Sequence, residues 1–280
     1  MTSPTSQPRT PRLYHASSGG TFSALGAIAL VFAAMASLIV TGVALHLAGA
    51  ELIVAMAVGQ LALLAVAVVA ARVTGRNLGA LGLRRPAGWY VVAALLVGSS
   101  AWYVNLRIVE LLPFREHAIS GLQQVVDRPA LPLVLLTVAL APAICEEVLF
   151  RGVLARGLAT RFHPWVAILG SAVVFSLYHM QPLQMLPTLT LGIAFALIAY
   201  RSGSAIPTMF AHFLNNTLAL LVARGELPGF ASWLGRHDVI ALVIALAACW
   251  LGIAIALVRP SVDELVRARV APIKEARPGR

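Results

Sequence analysis

The feature that most limits this chain is a succession of long apolar runs, at about 22–47, 52–71, 89–113, 131–155, 164–179, 183–200, 205–222 and 239–258. A helix needs about 20 such residues to cross the roughly 30 Å hydrocarbon core of a bilayer. Inside lipid every backbone N–H and C=O must be satisfied by the segment itself, which leaves helices or closed barrels as the spanning structures. Runs of this length and spacing predict an all-α, polytopic membrane protein of about eight transmembrane helices. The charge content agrees: 11% of the 280 residues are charged, less than half of the roughly 25% typical of soluble domains. An ordinary soluble enzyme is excluded. The first run is too long for the apolar centre of a secretory signal, about 7–15 residues, and is expected to remain as a span. Spans five and six meet at a tight turn around Gln181-Pro182.

Basic residues give the expected orientation. Arg72, Arg76, Arg84 and Arg85 crowd one loop without an acid, so that loop is read as cytosolic. Alternation then puts both termini in the cytosol, with fifteen of the 21 basic residues inside and Arg115, Arg128, Arg224 and Arg236 outside. The net charge of +10 is thus accounted for by topology, and no nucleic-acid partner is expected. The domain reading is a disordered cytosolic tail over 1–20, a membrane domain over 21–258 with its reactive core at about 130–222, and a basic cytosolic tail over 259–280. That last tail is expected to touch anionic lipid headgroups. Cys145 and Cys249 fall inside apolar runs and read as packing residues.

Charges are expensive within a span, so the few present there mark candidate function. Arg107 and Glu110 in span three read as a helix-face ion pair near the outer interface. Span four is different. It carries Glu146-Glu147 and Arg151 in an otherwise apolar helix. Glu147 and Arg151 are i and i+4, stacked on one face where an ion pair forms. Glu146 lies about 100° around the axis and cannot easily share that arginine. The paired Glu147 is therefore read as structural, and Glu146, without a countercharge, as the carboxylate suited to take a proton from water. Span five ends in Phe175-x-x-x-His179 and span seven carries His212-x-x-x-Asn216, each pair again on one helix face.

Together these clusters supply a carboxylate, two imidazoles and an amide, a set suited to peptide hydrolysis in a wet intramembrane cavity. In one arrangement Glu146 deprotonates water, His179 orients that water or shares its proton, and His212 with Asn216 stabilises the oxyanion. In another, Glu146, His179 and His212 form a His2Glu zinc site with water in the fourth position, Asn216 holding an imidazole or the carbonyl oxygen. The residues leave both open. Counting along the spans sets His179 nearer the outer face than His212 and Asn216 by about 9 Å, a gap that a tilted helix or a differently placed fifth span must close.

Glu-Glu-x-x-x-Arg at 146–151, Phe-x-x-x-His at 175–179 and His-x-x-x-Asn at 212–216, in that order on successive apolar segments, resemble the CPBP family of intramembrane proteases. This family, also called CAAX protease or Abi, includes type II CAAX prenyl endopeptidases and bacteriocin-processing or immunity proteins. The resemblance covers about residues 130–220. It implies a helical bundle enclosing an active-site cavity, an endopeptidase of metalloprotease type, and a membrane-associated peptide or protein as substrate, with zinc as cofactor in the His2Glu arrangement and none in the other. It also implies catalytic roles for Glu146, His179, His212 and Asn216, supported by Glu147, Arg151 and Phe175. The expected location is a bacterial cell membrane. A rival reading keeps the fold for a non-catalytic immunity or peptide-binding protein; a third makes the carboxylates a proton relay in a transporter.

Overall fold

The computed structural model of the chain describes residues 20–112 and 129–261. The tails read from the sequence, and the loop residues Arg115, Glu116, Asp127 and Arg128, lie outside the described residues, apart from Gly20 and Arg259–Ser261. The described residues form helices with no strand among them: α1 (Ala24–Leu47), α2 (Leu52–Val73), α3 (Gly88–Glu110), α4 (Leu131–Ala159), α5 (Pro164–Tyr178), α6 (Pro182–Ser202), α7 (Ile206–Ala223), α8 (Pro228–Arg236) and α9 (Asp238–Val258). A single turn of 3-10 helix, Leu78–Leu81, interrupts the α2–α3 loop. Helix starts follow local chemistry. The Ser23 hydroxyl accepts from the Gly26 N–H to cap α1, and proline, whose missing N–H costs nothing in a first turn, opens α4 to α8.

Seven of these helices are long and apolar enough to cross a membrane, and the chain is an integral membrane protein. The remaining apolar helix, α5, has 15 residues, which reach only about 22 Å. It is shorter than the other apolar helices, and its Phe175 ring packs on both His179 and His212 of α7. The left-handed φ of +50° at Met180 turns the chain sharply from α5 into α6. Helix α8 was not foreseen in the sequence. Its Phe230 packs near Trp102 of α3, and its Trp233 stacks on His237 at the start of α9; such aromatic side chains suit a helix lying at a membrane surface.

Helix α1 packs along α2, α2 against α4, and α3 is held between α7 and α9. Side chains exposed on the periphery include Leu25, Phe32, Val69, Val239 and Trp250, as expected where the outer solvent is lipid. Two helix contacts are so close that only glycine fits. A Cβ at Gly252 of α9 would stand 2.7 Å from the Ala93 carbonyl oxygen, and one at Gly98 of α3 would collide with the Ala211 carbonyl oxygen. Ala211 directly precedes His212. Gly98→Val is therefore expected to push α7 off α3, to cost about 3 kcal/mol by overpacking, and to lower the thermal unfolding midpoint in detergent by roughly 10 °C.

Helix α4 is irregular where the candidate residues sit. Two stretches, Leu135–Leu140 and Val148–Ala155, adopt wider π-type turns on either side of Ala141–Glu147. π-type turns in α-helices recur at functional sites. The expected ion pair of α3 is present, Arg107 to Glu110 at 2.6 Å, and reaches on to Asp238 at 3.4 Å. Cys145 and Cys249 are both free thiols.

Candidate active site

The centre of the site is a buried chain of charge. Glu146, Glu147, Arg151 and His212 are 4%, 0%, 1% and 5% exposed, values that demand partners for each. The i, i+4 spacing on α4 delivers the first: Arg151 donates to Glu147 Oε1 at 2.8 Å. The guanidinium plane lies over the Phe175 ring, 4.1 Å from its centroid, with Phe195 of α6 at 5.5 Å. A planar, weakly hydrated cation is suited to such an aromatic slot.

The same Glu147 oxygen accepts from His212 Nδ1 at 3.0 Å. A carboxylate held by arginine has no hydrogen to give, so Nδ1 carries the proton of that bond. In the neutral imidazole the Nε2 lone pair is then bare, and it faces Glu146 Oε2 across 4.0 Å. His212 thus links the two neighbouring glutamates, taking its tautomer from one and turning its free nitrogen to the other. The oxyanion role expected for a neutral His212 needs a donor at Nε2, which this tautomer lacks.

Glu146 has no arginine partner, as its angle on the helix implied. It is not without a neighbour, however: Oε1 accepts from Gln60 Nε2 of α2 at 2.8 Å. Oε2 is buried and makes no direct hydrogen bond among the described residues, with the Tyr178 hydroxyl the other polar group bearing on this carboxylate. The distance of 4.0 Å to His212 is too long for a direct hydrogen bond and short enough for one water to bridge.

His179 joins the site through Phe175. The ring of Phe175 meets the His179 ring edge-to-face at 4.9 Å and the His212 ring at 6.2 Å, which explains the aromatic four residues before the histidine. His179 Nδ1 donates to the Phe175 carbonyl at 2.9 Å; a carbonyl can only accept, so Nε2 of the neutral ring is again bare.

Asn216 stands one turn beyond His212 and bonds elsewhere. Its Nδ2 donates to the Val138 carbonyl at 3.0 Å, and its Oδ1 accepts from Asn215 at 3.1 Å. The reason lies in α4. Pro142 has no N–H to return to the carbonyl four residues earlier, which is that of Val138, and an orphaned carbonyl in a bilayer must find a donor. Asn216 supplies it, and so ties α7 to the π-type turn before Glu146.

The structure therefore gathers Glu146, Glu147, Arg151, Phe175 and His212 in one network, brings His179 against it through an aromatic ring, and sets Asn216 one turn away. Gln60, Phe195 and Tyr178 complete the surroundings and were not singled out in the sequence. Tyr178 packs on Phe150 and His179 and lies 3.5 Å from the Gln60 amide. Gln60 had a legible signal, being the one polar side chain between Leu52 and Ala71.

The zinc arrangement requires Glu146, His179 and His212 around one ion. The donor types suit zinc, since both imidazoles are anchored at Nδ1 with Nε2 bare. The spacing does not: among the described residues no three histidine, cysteine, aspartate or glutamate side chains gather closely enough to hold a metal ion.

Residues 128–218 match the family described as Rce1-like, type II CAAX prenyl endopeptidase Rce1-like. The matched stretch contains every residue of the three motifs and leaves out Gln60. No curated protein and no solved structure matches the chain.

Proposed function

We propose, on the premise that residues 128–218 match the Rce1-like type II CAAX prenyl endopeptidase family, that the chain is an intramembrane endopeptidase cleaving near the end of a membrane-associated peptide, with Glu146 activating water. The observation that supports this most is the 4.0 Å approach of Glu146 Oε2 and His212 Nε2, two acceptors facing each other inside a helical bundle. A water between them donates one hydrogen to each and keeps an oxygen lone pair for the substrate carbonyl carbon. As the C–O bond forms, Glu146 takes the proton. The second N–H of the Asn216 amide, the first being engaged by Val138, is the donor offered to the tetrahedral oxyanion. Cleavage of the C–N bond follows, and Glu146 returns its proton to the leaving amine. Glu147 and Arg151 fix the tautomer of His212 throughout, and His179 flanks the pair from the Phe175 side.

No step here passes through a metal, because the three candidate ligands do not gather. Cleavage is accordingly expected to survive exhaustive chelation; activity lost on chelation and restored by zinc would favour the His2Glu arrangement instead. The substrate class is proposed from the family: a peptide ending in Cys-a-a-X whose cysteine carries a prenyl chain. Anionic lipid headgroups at the basic tail over 259–280 are proposed as partners, with both termini in the cytosol. Incubating purified protein with a library of membrane-associated peptides, with and without prenylation, tests the reading. Release of short C-terminal fragments from prenylated members supports it, and an untouched library contradicts it.

A further inference from the structure

Gln60 of α2 donates to Glu146 Oε1 from a helix 86 residues away in sequence and outside the family stretch. We infer that Gln60 is a positioning residue for the catalytic carboxylate: its amide fixes which oxygen of Glu146 is left to meet water. This inference rests on the reading of Glu146 as base.

Three observations carry it. First, the orientation of the amide is determined, since a carboxylate only accepts and the –NH2 end must face it. Second, Gln60 Oε1 is buried with no donor among the described residues, whereas an amide serving only to tie helices would be expected to satisfy both ends. Its one short bond is the bond to Glu146; the Tyr178 hydroxyl, at 3.5 Å from Nε2, lies at the limit. Third, a glutamate carboxyl rotates broadly about its last torsion. With Oε1 held toward α2, Oε2 is the oxygen directed at His212 Nε2. Without that tether the carboxyl can turn, and both acceptors no longer converge on one water. The α1–α2 hairpin, generic in sequence, thus contributes directly to the geometry of the site.

The test uses full-length protein in lipid nanodiscs and a fluorogenic farnesylated Cys-a-a-X peptide. Gln60→Leu is expected to lower kcat about 10- to 100-fold, the scale of a misplaced catalytic group, with KM held within about twofold. Gln60→His, which returns an N–H near the position of the amide nitrogen, should recover part of kcat. An unchanged kcat in Gln60→Leu, or a raised KM with kcat intact, overturns the inference. A thermal-unfolding cycle of Gln60→Leu, Glu146→Leu and the double variant reads the same contact without substrate. Gln60→Leu should lower the midpoint by about 3 °C more when Glu146 is present than when it is leucine; equal shifts overturn the inference. If the wild type leaves the peptide uncut, the endopeptidase reading fails on that substrate, and the thermal cycle alone decides for Gln60.

Discussion

Arg151→Met is expected to destabilise the protein by about 3–5 kcal/mol, the cost of stranding one member of a buried ion pair. Glu147 would be left without its arginine countercharge in a place with no exposure. A loss of this size corresponds to a fall of roughly 10 °C or more in the unfolding midpoint of a protein this long. Arg151→Lys should not restore it, because an ammonium cannot lie flat between Phe175 and Phe195 as the guanidinium does. The double variant Glu147→Gln/Arg151→Met should be less damaging than the sum of its parts, since no charge is stranded. Thermal unfolding in detergent measures all three. A midpoint for Arg151→Met within a degree of the wild type would contradict the network as described.

Glu146→Gln is expected to fold normally and to lose about 10²–10⁴-fold in kcat, the range that a general base contributes. The amide keeps the size of the side chain and an acceptor oxygen for the Gln60 N–H, so packing around α2 is preserved, while the ability to take a proton is gone. Steady-state cleavage together with the unfolding midpoint separates this from a folding defect. The two predictions have opposite signatures: Arg151 acts first on stability, Glu146 on turnover. A Glu146→Gln variant that unfolds early and cleaves normally would reverse the roles assigned to the adjacent glutamates.

The fold was largely readable because hydrophobic length is a one-dimensional property. The eight apolar runs map onto α1 to α7 and α9, with boundaries displaced by a few residues. The run at 164–179 yielded a helix of 15 residues, shorter than the other apolar helices. Helix α8 escaped notice because its Phe230 and Trp233 lie in a nine-residue segment, below the length at which apolar character marks a span.

Within the site, contacts fixed by helix periodicity were legible and contacts made across the bundle were not. The Glu147–Arg151 pair follows from a spacing of four on one helix. The His212–Glu147 bond joins residues 65 apart and depends on how α7 is rotated against α4, which periodicity leaves undetermined. The same holds for Asn216. Its spacing from His212 suggested an oxyanion donor alone, whereas Pro142 frees a carbonyl on another helix and Asn216 answers it. Gln60 shows the remaining gap: a polar residue in an apolar span was visible, but its partner became identifiable only when α2 and α4 were seen side by side.

Water activation by Glu146, as proposed, is tested most directly by mass spectrometry of a farnesylated Cys-a-a-X peptide incubated with nanodisc-embedded wild type and with an equal amount of folded Glu146→Gln. Release of a C-terminal tripeptide is expected from the wild type and none above background from the variant. Equal release by both proteins would contradict it.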